Sequence, residues 1–191
     1  MQEIEVKSRV ENPEPLLAAL TEKGIVLSAP VKQDDVIYVT GDWEFTRFMN
    51  DRNIIRLREQ DGVGIFTLKR PGVNELDTAI EEEVVVSDLP TVARMLKLLD
   101  YRPILEVHKT RAKTKYQGME ICLDVVEGIG TFIEVEKLVE QGDAEAIQEE
   151  LFQFLESLGI SRDNRVTRGY DTLVRLQQEG KLLQPIPRNN D

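Results

Sequence analysis

Near its N-terminus the chain reads Glu3-Ile4-Glu5-Val6-Lys7-Ser8-Arg9, with a charged residue at every odd position. Successive side chains of a β-strand point to opposite faces, so this strand has one charged face and one face that carries Ile4 and Val6. Taken alone, the pattern is typical of a half-buried antiparallel strand whose charged face meets water. Whether later strands repeat it decides the interpretation of the whole chain.

The composition limits the classes of function. The 191 residues are 41% hydrophobic and carry a formal net charge of -11, which fits one globular domain and argues against a general basic surface for nucleic acid or anionic membranes. The single cysteine, Cys122, excludes a disulfide framework or a thiol metal cluster within one chain. No apolar run reaches the ~18 to 20 residues of a membrane span. We therefore expect a cytoplasmic protein.

Turn and capping signals divide the chain into eight strands and four helices. Asn12 with Pro13, Asp88 and Asp143 each predict a helix start, and a last helix is expected around 170–178. The expected strands cover 3–9, 34–40, 53–59, 63–70, 79–86, 104–116, 119–126 and 130–139. We interpret 41–52 as a loop with room for a short strand. Most links between strands are short, so the sheet should be largely antiparallel, and eight strands are enough to close a barrel.

The charged residues of these strands segregate by sign. Acidic residues occupy one face of the first, fifth, seventh and eighth strands, and basic residues one face of the third, fourth and sixth. A solvent-facing surface would more commonly mix Lys and Glu in cross-strand pairs. Inside a closed sheet, grouped carboxylates suit Mg²⁺ or Mn²⁺, and grouped Arg and Lys suit phosphate oxygens. The two-residue alternation alone leaves an alternative to this metal and polyphosphate site, namely a charged outer face that meets solvent.

Glu3-x-Glu5-x-Lys7 resembles the ExExK signature of the CYTH superfamily, the triphosphate tunnel metalloenzymes. The similarity continues along nearly the whole chain. It includes Asp35-Val36-Ile37-Tyr38, Arg56-Leu57-Arg58-Glu59, Thr67-Leu68-Lys69-Arg70-Pro71-Gly72, Glu81-Glu82-Glu83, Lys109-x-Arg111, Ile121-Cys122-Leu123-Asp124, Gly128-Ile129-Gly130-x-Phe132-Ile133-Glu134-Val135-Glu136 and Arg168-Gly169-Tyr170. The resemblance implies an α+β fold: an eight-stranded antiparallel closed β-barrel that forms a tunnel, with helices packed on its outside. We expect this tunnel domain to cover 1–180, followed by a flexible tail over 181–191.

The resemblance also assigns roles to the charged residues. One or two Mg²⁺ or Mn²⁺ ions would be held by the acidic set Glu3, Glu5, Asp124, Glu134 and Glu136. The triphosphate would be held for catalysis by Lys7, Arg58, Lys69, Lys109 and Arg111. Further substrate and tunnel contacts are expected from Arg9, Arg56, Glu81, Glu83, Arg168 and Tyr170. We interpret His108 and Cys122 as structural residues, because His108 alternates with Lys109 and Cys122 lies between apolar neighbours.

Within the superfamily the chain looks most like the class IV adenylate cyclases, on the run from Leu123 to Gly130 and on the Arg-x-Tyr near its end. That resemblance implies conversion of ATP to cyclic AMP and pyrophosphate. A triphosphatase acting on thiamine triphosphate, tripolyphosphate or a nucleotide is the alternative, and a non-catalytic polyphosphate or nucleotide binding module is the third. No side chain stands out as a general base. The outer sheet surface leaves room for a homodimer.

Overall fold

The structure is a computed structural model that describes residues 2–41, 53–71, 79–139 and 143–180. Its strands are β1 (Gln2–Val10), β2 (Val31–Thr40), β3 (Ile54–Gln60), β4 (Val63–Pro71), β5 (Ala79–Val86), β6 (Tyr101–Tyr116), β7 (Met119–Val126) and β8 (Gly130–Val139). Its helices are α1 (Pro13–Glu22), α2 (Leu89–Leu98), α3 (Ala144–Ser157) and α4 (Tyr170–Gln178), with a 3₁₀ turn at Arg162–Asn164. The α+β class and the eight strands are confirmed. Most of the loop expected over 41–52, and the tail expected over 181–191, lie outside the described residues.

All eight strands belong to one antiparallel sheet, in the order β1-β8-β7-β6-β2-β3-β4-β5. The sheet curls so far that Cα atoms of its two edge strands, β1 and β5, come within 8 Å of one another. Among the described residues no hydrogen-bonded ladder joins these edges. The sheet is therefore an open, curled half-barrel where the sequence led us to expect a closed one.

Two hairpins of this sheet have turns of the same geometry. Asp61-Gly62 joins β3 to β4 and Gln117-Gly118 joins β6 to β7, each with φ near 49° and 79°. Two successive left-handed residues are the mark of a type I′ turn, whose twist matches that of the strands it connects. Glycine at the second position accepts this conformation without a Cβ clash, so the two turns fix the register of four strands.

Three helices cover the outer face of the sheet. Leu16 and Leu20 of α1, together with Leu151 and Leu155 of α3, pack on the apolar residues of β1, β7 and β8. Helix α2 uses Leu96 to cover β2 and β3. Since these contacts are with the face that carries Ile4 and Val6, the charged face of β1 is turned toward the inside of the curl.

Helix α4 corrects the expectation that the helices lie outside. Its Leu173 and Val174 pack against Val107, Val126 and Phe132, which share the inner face with Lys109, Asp124 and Glu134 by strand alternation. The preceding segment pairs with the free edge of β1, where the Val166 amide donates to the Lys7 carbonyl at 2.9 Å. An apolar helical stripe does not specify which face of a sheet it covers, and here this edge pairing carries the helix inside.

None of the helices in the described part of the chain combines the length and the apolar character needed to cross a membrane.

Candidate active site

The inner face of the curled sheet carries the residues that alternation selected. The side chains of Lys7, Lys109 and Glu134 are only 7%, 3% and 6% exposed, and that of Asp124 is fully buried. A solvent-facing charged surface would leave these groups open to water. The alternative of an outer charged face is therefore excluded for these four residues, and each must find an opposite charge or a ligand because burial of an unpaired charge is costly.

A carboxylate cluster formed by Glu3, Glu5 and Glu136 lies at the β1 edge. Glu5 and Glu136 are direct cross-strand neighbours, and carboxylate oxygens of all three residues lie within 4.8 Å of one another. Burial, together with the charges of Glu5 and Glu81, raises the pKa of Glu3 to about 7. Burial and the nearby Glu3 raise the pKa of Glu136 to about 8. Converging oxygen ligands with excess negative charge are the donor set that a hard divalent cation prefers, so these residues fit Mg²⁺ or Mn²⁺.

The other two predicted metal residues, Asp124 and Glu134, lie in a salt-bridged group instead. Arg111 forms a two-pronged pair with Asp124, at 2.7 Å from Nε to Oδ1 and 2.5 Å from Nη2 to Oδ2, and it also contacts Glu134. Lys7 Nζ lies 3.1 Å from Glu134 Oε1, and Lys109 Nζ lies 3.2 Å from Asp124 Oδ2. The structure therefore joins these two carboxylates to cations and does not bring them into the carboxylate cluster.

The ionisation of the salt-bridged group reflects its pairing. Burial by itself would raise the pKa of Glu134, but the charges of Lys7 and Arg111 outweigh it and hold that pKa well below the usual range. Burial lowers the pKa of Lys7, yet Glu5 and Glu134 raise it above its ordinary value. Lys109 differs, because burial and the neighbouring Arg111 lower its pKa to about 8. The group therefore holds more than one buried cation within reach of any anion that enters the curl.

Three further predicted cations lie on β3 and β4. Arg58 forms a buried two-pronged pair with Asp35, at 2.6 and 2.7 Å. Arg56 Nη2 lies 2.8 Å from Glu83 Oε1. Lys69 Nζ lies 2.6 Å from Glu81 Oε1. Glu81 and Glu83 thus line the same face as expected, and both pair with cations. From the opposite edge of the sheet, the charge of Lys69 opposes the rise in the pKa of Glu3.

The remaining predicted contacts lie near the end that α4 fills. The Arg9 guanidinium donates to the Ile129 carbonyl at 2.7 Å and stands over the ring of Phe132 at 4.9 Å. Tyr170 begins α4, and its ring lies beside Lys7 and Lys109. Arg168 is partly buried in the segment that precedes α4.

Several residues on this face were missed by the sequence reasoning. Asp35 is the buried partner of Arg58, Thr67 donates to Glu83 at 2.7 Å, and Glu120 lies 3.0 Å from Lys113 Nζ. Strand alternation contained a signal for Glu120, which shares its face with Asp124. For Asp35 the signal was ambiguous, because its neighbour Asp34 offers the same charge on the opposite face.

The two residues set aside as structural lie in different places. His108 is on the outer face, where Nδ1 lies 2.6 Å from Asp34 Oδ1. Cys122 is fully buried on the inner face, and burial raises the pKa of its thiol to about 12. A thiol that stays protonated is a poor nucleophile or metal ligand, which agrees with a packing role.

Comparison with known proteins identifies the family. The sequence profile of the CYTH domain matches residues 1–170. The chain belongs to the CYTH domain family. This confirms the resemblance that begins at Glu3 and Glu5.

The names of similar proteins mention adenylate cyclase and, in one case, triphosphatase activity. A Methanocaldococcus jannaschii protein, provisionally named an adenylate cyclase, is 27% identical over 89% of this chain and 97% of its own. The adenylate cyclase CyaB of Aeromonas hydrophila is 32% identical over 63% of this chain and 61% of its own. A Pyrococcus horikoshii structure matches with a TM-score of 0.76 at 28% identity, covering 91% of this chain and 98% of its own. A Hippeastrum protein, provisionally named an adenylyl cyclase and said to have a dominant triphosphatase activity, matches with a TM-score of 0.64 at 19% identity, covering 97% and 99% of the two chains.

Proposed function

We propose that this CYTH protein is a metal-dependent adenylate cyclase that converts ATP to cyclic AMP and pyrophosphate. The observation that carries the proposal is that an acidic group and a basic group meet on one concave face. The carboxylate cluster of Glu3, Glu5 and Glu136 fits a divalent cation, and Lys7, which lies 3.3 Å from Glu5, begins the set of cations that suits a triphosphate. The relatives named as adenylate cyclases support ATP as the substrate.

We further propose that β1 and β5 close the sheet into a tunnel. Across the gap between the two edges, the charge of Glu81 raises the pKa of Glu3 and the charge of Lys69 lowers it. A substrate chain lying between them would be enclosed by charged side chains from both edges. Enclosure lowers the local dielectric constant and strengthens each contact with phosphate.

Glu3, Glu5 and Glu136 would hold one Mg²⁺ or Mn²⁺ ion in this proposal. The ion would supply positive charge that lowers the pKa of the attacking hydroxyl and stabilises the phosphate oxygens. Arg111, Lys109 and Lys7 would bind the phosphate chain from one wall, and Arg56, Arg58 and Lys69 from the other. Arginine supplies planar two-pronged donors for the phosphate oxygens, whereas lysine supplies a point charge.

The reaction needs position and charge more than covalent chemistry. The ribose 3′-oxygen forms a bond to the α-phosphorus, and the bond from that phosphorus to the oxygen that bridges to the β-phosphate breaks. Pyrophosphate leaves with the bonding electrons, and the hydroxyl proton passes to a carboxylate or to solvent. The basic residues stabilise the negative charge that builds on the leaving group, as in other phosphoryl transfers.

A triphosphatase is the second candidate. The charged residues of this face suit a phosphate chain and a cation, and a hydrolase needs both as much as a cyclase does. In that reaction water attacks the γ-phosphorus and orthophosphate is released. The activity stated for the Hippeastrum protein supports keeping this candidate.

Product analysis separates the candidates. Purified protein is incubated with Mg²⁺ or Mn²⁺ and with ATP, thiamine triphosphate or tripolyphosphate, and the products are identified by chromatography. Cyclic AMP with pyrophosphate is the expected result, and orthophosphate alone would favour the triphosphatase. Tight binding of the triphosphate without turnover would indicate the non-catalytic binding module. Glu136→Gln is the matched control, because any metal-dependent product must fall when a ligand of the cluster is removed.

A further inference from the structure

The ring of Tyr170 contacts two lysines that come from separate strands. Lys7 Nζ of β1 lies 4.7 Å from the ring centroid, and Lys109 Nζ of β6 lies 4.8 Å from it. Strands β8 and β7 stand between β1 and β6 in the sheet. One aromatic ring therefore brings together two ammonium groups that strand pairing alone does not join.

The ring itself is held firmly. It forms an edge-to-face pair with the ring of Phe132, with the centroids 5.2 Å apart and the planes at 62°. Phe132 is fully buried, and the hydrophobic residues Leu173 and Val174 of α4 pack around it. A fixed ring at the start of α4 offers its negative face at a defined point on the inner wall.

The contacts have a clear physical effect. Two ammonium groups that approach one site repel each other, and the face of an aromatic ring attracts both. Glu134 holds Lys7 and Asp124 holds Lys109 from the strand side. The ring holds them from the side of α4, so each lysine is confined between a carboxylate and the ring.

We propose that Tyr170 is a positioning residue that sets the placement of Lys7 and Lys109 for binding of the triphosphate. This inference rests on the proposed function for its binding readout, whereas the contact between ring and lysines does not depend on it. The ring contributes through its π face, so phenylalanine should replace tyrosine and an aliphatic side chain of similar size should not.

Nuclear magnetic resonance tests the contact without any substrate. In protein labelled with ¹³C-lysine, protons of the ε-methylene groups of Lys7 and Lys109 should be shifted upfield by the ring current of Tyr170. The signals are assigned with Lys7→Arg and Lys109→Arg. The shifts should persist in Tyr170→Phe and disappear in Tyr170→Leu. Lysine signals at ordinary positions in the unsubstituted protein would overturn the inference.

Calorimetric titration with tripolyphosphate in metal-free buffer tests the consequence. Tyr170→Leu should weaken binding about tenfold, the order of magnitude of a desolvated cation–π contact, while Tyr170→Phe stays within about threefold of the unsubstituted protein. Leu96→Ala loosens the packing of α2 on the outer face, away from the ring, so it should lower the melting temperature and leave the affinity within about twofold.

The two failures are distinguishable. Equal binding by the unsubstituted protein and Tyr170→Leu would overturn the positioning role, as would a loss in Leu96→Ala that matches the loss in Tyr170→Leu. Lack of tripolyphosphate binding by the unsubstituted protein would contradict the proposed function and the positioning role together. If ring-current shifts were still observed in that case, they would support the contact between the ring and the lysines and nothing more.

Discussion

Glu134 and Glu136 lie two residues apart on β8 and face the same interior, yet their surroundings drive their ionisation in opposite directions. Lys7 and Arg111 hold the pKa of Glu134 far below its usual range against the effect of burial. Burial and the charge of Glu3 raise the pKa of Glu136 to about 8. The salt-bridged group is therefore complete within the protein, whereas the carboxylate cluster has excess negative charge that a cation would satisfy.

The difference shows that acidic residues on one face can have opposite electrostatic surroundings. A carboxylate between two buried cations is already neutralised by its protein partners. A carboxylate among other carboxylates is destabilised until a cation arrives. Of the five predicted metal residues, the structure brings the carboxylates of Glu3, Glu5 and Glu136 together and pairs Asp124 and Glu134 with cations.

The largest effect is expected from breaking the salt-bridged group. Asp124→Asn leaves Arg111 and Lys109 facing an uncharged amide at a fully buried position. Removing one partner of a buried ion pair costs about 3–5 kcal/mol of stability, because the remaining charge is uncompensated. Urea denaturation followed by circular dichroism should show a loss of this size in the free energy of unfolding.

Glu136→Gln is the matched control for that experiment. It removes one repelling charge from the carboxylate cluster, so the stability at pH 8 should be unchanged or higher. The comparison between the two groups would be wrong if Glu136→Gln destabilised the protein as much as Asp124→Asn does.

The next effect concerns activity. Glu5→Gln removes one oxygen donor from the carboxylate cluster and one partner of Lys7. A metal ion supplies several kcal/mol of charge stabilisation in a transition state, and ~2.7 kcal/mol corresponds to about a hundredfold in rate. We expect kcat/KM for the triphosphate substrate to fall at least about a hundredfold while the circular dichroism spectrum stays the same. Glu11→Gln, an exposed position beyond the end of β1, serves as the control. Full activity of Glu5→Gln would exclude the cluster as the metal site.

A smaller effect should appear in the pH dependence of stability. The folded-state pKa values of Glu3 and Glu136, about 7 and 8, exceed the unfolded value of about 4.3. Between these limits the folded state binds more protons, so its stability falls as the pH rises from 5 to 9. Double substitution Glu3→Gln and Glu136→Gln should flatten this decline. Saturating Mn²⁺ should oppose it in the unsubstituted protein, by about 2.7 kcal/mol at a hundredfold excess over Kd. A melting temperature indifferent to Mn²⁺ at pH 8 would contradict the site.

Much of the fold could be predicted because its signals are local. The bounds expected for the seventh and eighth strands are those of β7 and β8, where Gln117-Gly118 and Glu127-Gly128 mark the turns. Strands β2 and β6 begin three residues earlier than expected, at Val31 and Tyr101. Pro103 suggested a break there, but a register shift between Ile37 and Tyr38 lets the ladder continue past it.

The sequence predicted which residues lie on the inner face, but it did not predict which acidic residue pairs with which basic residue. Alternation selects the residues of one face, and register across eight strands decides which acid meets which base. That register placed Arg111 against Asp124, and the same process placed Asp35 against Arg58. The inner position of α4 depends on edge pairing by a segment with no strand pattern, so nothing local predicted it.

The smallest effect is expected on the outer face, on the opposite side of the sheet from both groups. His108 Nδ1 donates to the Asp34 carboxylate, and this hydrogen bond raises the pKa of His108 against a smaller opposing effect of burial. A histidine whose folded pKa is raised stabilises the protein below its unfolded pKa of about 6.5, and this contribution is lost as the pH rises through the folded pKa. His108→Gln should therefore lower the melting temperature at pH 5.5 and leave it unchanged at pH 9, where the imidazole is neutral. The loss at pH 5.5 should be small, because the side chain is 41% exposed and water screens its charge. At each pH, the activity of His108→Gln should equal that of the unsubstituted protein, in contrast to the activity of Glu5→Gln. An equal loss of stability at pH 5.5 and pH 9 would show that packing, and not the charge of His108, determines the effect.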